Sequence, residues 1–106
     1  MNDRELLELA AKAAGVNFYT PEGMDTPWCG RGFYLRVGAV WNPLSDDGDA
    51  LRLAIQLEMD VSFGLRGAVI EQSHGKKIQE LDDNDPYAAT RRAIVRAAAE
   101  IGRSMK

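Results

Sequence analysis

Apolar and polar positions along this chain follow two periods, one near 3.6 residues and one near 2, and the switches between them mark the elements. Residues 3–14, DRELLELAAKAA, place Leu6, Leu9, Ala10 and Ala13 at i, i+3, i+4 and i+7, with Arg4, Glu5, Glu8 and Lys12 largely elsewhere. That spacing predicts an amphipathic helix. Asn2 or Asp3 can cap its start, and Gly15 is placed to end it in a left-handed turn. VNFYT (16–20) alternates and is rich in β-formers, which predicts a short strand. Two prolines and three glycines in TPEGMDTPWCGRG (20–32) break both periods, so this stretch reads as a loop, one that carries Met24, Trp28 and Cys29. FYLRVGAVW (33–41) returns to strand character, with Gly38 as a bulge or close-approach point, and Asn42-Pro43 ends it with a turn.

The second half follows the same logic. Residues 46–59 read as a helix whose buried face would be Leu51, Ala54, Ile55 and Met59, with Arg52, Gln56 and Glu58 turned away. DVSFG (60–64) puts Val61 and Phe63 on one side of a strand. GAVIEQSHGKKIQEL (67–81) reads as a hairpin, and two registers compete for it. A two-residue turn at His74-Gly75 would set Glu71 against Ile78 and Val69 against Glu80. A three-residue loop, Ser73-His74-Gly75, pairs Ile70 with Ile78 and Glu71 with Lys77. The second register buries like with like and matches charges, so it is the one expected. A last helix, 86–104, starts with Asp85 as N-cap and Pro86 at the first helical position. Its stripe is Ile94, Ala98, Ile101 and Met105, widened by Val95, while Ala88, Ala93, Ala97 and Ala99 permit close approach to a sheet. The expected fold is α+β in the order α-β-β-α-β-β-β-α, an antiparallel or mixed sheet with packed helices.

Composition narrows the function classes. The 106 residues suit one domain, 1–106, with 45% hydrophobic and 27% charged residues, an ordinary globular balance. A net charge of −3 lacks the basic excess that neutralises phosphates, so a general nucleic-acid coat is disfavoured. The single cysteine, Cys29, precludes an internal disulfide and a Cys-rich zinc site, and fits a reducing cytoplasm. The charged start, Met1 to Glu5, has no apolar secretory core, and no apolar run has the length of a membrane span.

Few residues look like chemistry. Asp46-Asp47-Gly48-Asp49 fails as a calcium loop because Gly48, Ala50 and Leu51 interrupt the alternating ligands; Asp82-Asp83-Asn84-Asp85 fails because Tyr87 takes a ligand slot. Both clusters precede helices, where aspartate caps free N–H groups and opposes the positive dipole end. A cysteine nucleophile at Cys29 with His74 as base has no spacing to support it, and His74 suits a hairpin turn. CGRGF lacks the third glycine and the following helix of a dinucleotide fingerprint. Arg92, Arg96 and Arg103 share the polar side of the last helix, with Glu100 in reach of Arg96, which reads as a solvated face.

WNPLSDDGDALRLAI (41–55) followed by DPYAATRRAIVRAAAEIG (85–102) resembles a family of small phage and prophage proteins, the phage ABA sandwich domain, related to the NinX-like phage proteins. The resemblance runs from about Leu35 to Lys106. It implies a three-layer α/β/α arrangement and an accessory role inside a bacterial cell, and it brings no catalytic residues, metal or cofactor. The leading expectation is therefore a cytoplasmic, non-enzymatic protein that binds a protein partner, itself included, through Met24, Trp28 and Cys29. The rivals are a nucleic-acid-binding module using Arg92, Arg96 and Arg103, and a metal-dependent hydrolase built on Asp46, Asp47 and Asp49.

Overall fold

The computed structural model describes residues 1–64, 67–71, 77–81 and 85–105. Its elements follow the expected order: α1 (Asp3–Ala14), β1 (Phe33–Arg36), β2 (Ala39–Trp41), α2 (Asp47–Gln56), β3 (Asp60–Gly64), β4 (Gly67–Glu71), β5 (Lys77–Leu81) and α3 (Pro86–Ser104). The first two strands are not the expected pair. Residues 16–20 join no sheet; the segment is tied to β1 by a hydrogen bond from the Tyr19 N–H to the Tyr34 carbonyl (2.7 Å). The single strand expected over 33–41 is instead a tight hairpin. Gly38, at φ 76, supplies the left-handed residue that lets the chain reverse beside Val37. Phe33 then pairs with Trp41, and Phe18 stacks on Phe33 with ring centroids 4.1 Å apart. The extended 16–20 segment thus contributes an aromatic ring to the core rather than a rung to a ladder.

The second sheet has the order β3-β4-β5, all antiparallel. Ile70 faces Ile78 and Glu71 faces Lys77, the register expected from matching like with like. The loop assigned to Ser73-His74-Gly75 lies outside the described residues. One sheet face carries Val61, Ala68, Ile70 and Ile78, with Ala68 and Ile70 fully buried. Helix α3 packs there against β4 and β5, while α1 and α2 pack against α3. The opposite face shows Ser62, Glu71, Lys77 and Gln79 to solvent. Among the described residues the sheet is covered on one side, so the α/β/α layering implied by the resemblance is replaced by helices gathered on a single face.

The helix ends form as their caps predict. Asn2 accepts the Glu5 N–H (2.8 Å), Asp46 accepts the Asp49 N–H (2.8 Å), and Asp85 accepts the Tyr87 and Ala88 N–H groups (3.0 and 3.1 Å). Each such cap is worth about 1 kcal/mol. The buried faces, by contrast, are shifted by about one residue from those expected. Helix α1 buries Leu7, Ala10, Ala11 and Ala14, and α2 buries Asp49, Ala50, Leu53 and Ala54; Leu51 and Ile55 are exposed. Helix α3 buries Ile94, Val95 and Ala98 as expected, together with Ala93, Ala97, Ala99 and Gly102, while Met105 is exposed.

The reason lies at the α1–α3 contact. A β-carbon at Gly102 would stand 1.9 Å from the Leu9 carbonyl oxygen, so the two helices meet at backbone distance. Only small side chains allow that approach, and the alanine-rich faces therefore take the centre of the core. Leu6 and Leu9 are pushed to its half-buried margin.

Candidate functional site

The acidic stretch resolves into structure. Asp46 caps α2. Asp47 accepts from Arg91 of α3 (2.7 Å), and Arg91 also donates to the Leu44 carbonyl (2.8 Å). Asp49 is only 8% exposed and accepts from both the Asn42 N–H (2.9 Å) and Arg52 (2.7 Å). Asn42 in turn accepts the Leu44 N–H through its side chain (2.9 Å), closing the Asn-Pro turn above a buried Pro43. The three carboxylates that a hydrolase would need are thus engaged in fixing one turn, one helix start and one helix–helix contact. Among the described residues, no three His, Cys, Asp or Glu side chains stand where they could hold a metal ion. His74 lies outside the described residues.

The three arginines share a polar cleft of about 380 Å³ between the start of α1, β5 and α3. Arg92 pairs with Asp3 (3.4 Å), Arg96 with Glu80, and Arg103 with Glu100 (3.7 Å). Each arginine's charge is thus offset by a neighbouring carboxylate, which lowers the pull of the cleft on a phosphate.

The loop at 20–32 is split between core and surface. Trp28 is half-buried, bridges to Phe33 and lies 4.9 Å from its ring, with the Arg4 guanidinium 5.9 Å above the indole. Cys29 is half-buried and donates its N–H to the Gly32 carbonyl (3.0 Å). Met24 is exposed. Trp28 thus faces the aromatic cluster, while Met24 is exposed to solvent.

A different surface is assembled by α2, β3 and the start of α3. Helix α3 packs closely on β4 and β5, whereas among the described residues the close contacts of β3 are with β4. Over β3 lies an open groove of about 560 Å³, floored by Ala50, Val61 and Ile94 and walled by Leu51, Phe63 and Tyr87. Leu51 is 60% exposed, Phe63 72% and Tyr87 68%, and Ile55 follows Leu51 one turn on at 67%. The lining is almost wholly apolar, and the Asp47–Arg91 ion pair marks its rim. Scattered exposed leucines and tyrosines are ordinary, but several converging on one concave surface mark a contact site.

Sequence reasoning missed this groove because it assigned Leu51 and Ile55 to the core. One signal pointed to it: Val61 and Phe63 share a strand face, and both line the groove. No described helix is long and apolar enough to cross a membrane, so this apolar surface is not part of a helical span. No family model, curated protein or solved structure matches the chain.

Proposed function

We propose that the protein is a non-enzymatic binding module whose contact surface for a protein partner is the groove over β3. The observation that carries this reading is the convergence of Leu51, Phe63 and Tyr87, all more than half exposed, on one apolar concavity. Protein contacts draw their energy from a few large anchors set in desolvated pockets, with aromatic residues prominent among them. The engagement of Asp46, Asp47 and Asp49 in structural bonds favours binding over hydrolysis. The pairing of Arg92, Arg96 and Arg103 with carboxylates favours it over a phosphate-reading role. The accessory phage setting, inside a bacterial cell, rests on the resemblance of residues 41–55 and 85–102 alone.

The test is capture from bacterial lysate with the wild-type chain beside a Leu51→Lys/Tyr87→Lys double variant and an Arg92→Ala/Arg103→Ala double variant. Proteins retained by the wild type and the arginine variant but lost from the groove variant support the reading. Identical retention by all three would sink it.

A further inference from the structure

The two edges of the β3-β4-β5 sheet are built differently, and the difference says what the open one accepts. On β5, Lys77 lies at the strand start, and Glu80 is turned to the helix-covered face, where Arg96 holds it. A charge on the inward face and a lysine at the edge are devices that stop a sheet from adding another strand. On β3, DVSFG, the inward-facing positions are Val61 and Phe63 and carry no charge; Asp60 at the first position is the strand's one charge, there is no proline, and Phe63 is 72% exposed. Its outer edge meets no other described strand.

We infer that β3 pairs with β3 of a second copy of this chain, antiparallel and centred on Ser62, to make a continuous six-stranded sheet. The proposal rests on the reading of the groove as a protein-contact surface and names its occupant. The register follows from the strand itself. A two-fold at Ser62 uses all five strand residues and sets Val61 opposite Phe63, Asp60 opposite Gly64, and Ser62 opposite its own copy. Val61 and Phe63 already line the same groove, so each aromatic–β-branched pair falls on the helix-covered side of both copies. No like charges are placed opposite each other, and the Asp47–Arg91 pairs at the two rims are internally neutral. Shifting the register by one residue would set Val61 against Ser62 and put the two helical layers on opposite faces.

With the axis at Ser62, the two grooves merge over a floor of four side chains, flanked by Leu51 and Tyr87 from each copy. An aromatic side chain buries about 150–250 Å² when fully covered, so Phe63 and Tyr87 at their present exposure, with Leu51 and the strand edge, give roughly 400–500 Å² per copy. That is roughly 800–1,000 Å² in total, below the size of a permanent interface and in the range of a weak, reversible dimer.

The experiment uses the purified chain alone. Sedimentation velocity over a concentration series should show a monomer–dimer equilibrium, and Phe63→Lys should weaken it at least about tenfold without changing the melting temperature or circular dichroism. In a Cys29→Ser background, Ser62→Cys should form a disulfide-linked dimer on mild oxidation. Asp60→Cys should not, because its two copies would stand roughly 13 Å apart in this register, beyond disulfide reach. A chain that stays monomeric at all concentrations, a dimer indifferent to Phe63→Lys, or equal cross-linking at positions 60 and 62 would each overturn the inference. A monomer that still captures a lysate protein through Leu51 and Tyr87 overturns it while leaving the binding reading intact; a monomer that captures none ends both.

Discussion

The α1–α3 contact and the groove over β3 use opposite materials. At the first, Ala10, Ala11, Ala14, Ala98, Ala99 and Gly102 lie buried, and the helices meet at backbone distance. At the second, Leu51, Phe63 and Tyr87 have much more apolar surface each and leave most of it in water. Side-chain size therefore does not predict burial in this molecule; the closeness of backbone approach does. A small residue is buried where two helices can touch, and a large one is left out where no described helix closes over β3. The energetic weight of a position should follow the contact, not the hydrophobicity of the residue.

Substitutions at the two regions can break that contrast. The largest effect is expected from Gly102→Ala, the smallest change available. Alanine favours a helix over glycine by about 1 kcal/mol, yet its β-carbon would collide with the Leu9 carbonyl, so a net loss of about 2–3 kcal/mol is expected in urea denaturation. A gain in stability would mean the helices are not in backbone contact. Asp49→Ala should come next, at about 2 kcal/mol, because it leaves the Asn42 N–H without its acceptor in a part-buried site. The measurement is again the denaturation midpoint, and a neutral result would remove Asp49 as the tie between turn and helix. Leu51→Ala should be smallest, within about 0.5 kcal/mol, although it removes more apolar volume than either of the others. A loss of 2 kcal/mol or more there would return Leu51 to the core.

Features that depend on neighbours a few residues away were legible in the sequence. Asp46 and Asp85 cap helices because a side-chain oxygen needs only an N–H two or three positions on. The β4–β5 register followed from matching Ile70 to Ile78 and Glu71 to Lys77 across one turn. The phase of the helix faces was not legible. In α1, residues 6, 7, 9, 10, 11, 13 and 14 are all apolar, so the stripes 6-9-10-13 and 7-10-11-14 fit the period equally well. The choice between them is made by Gly102, far along the chain. Residues 16–20 show a related failure: β-forming residues alternate there, but a strand also needs a free edge beside it, and Tyr34 offers a single carbonyl. The groove went unseen for both reasons, since it depends on α2's phase and on where the start of α3 lies relative to β3.

The α1–α3 contact also sets an order in time. Lys12 donates to the Met105 carbonyl across 93 residues, and the neighbouring Leu9–Gly102 contact closes a loop of similar span, whereas the β4–β5 pair Glu71–Lys77 is local. Closing the long loop costs entropy before the core rewards it, so the local hairpin is free to form first. During synthesis the apolar face of α1, with Leu7 at its centre, has no lasting cover until α3 has left the ribosome, because the helix that packs on it lies far along the chain. The small residues that let α1 and α3 touch at backbone distance thus also make this a contact that cannot form until α3 has been made.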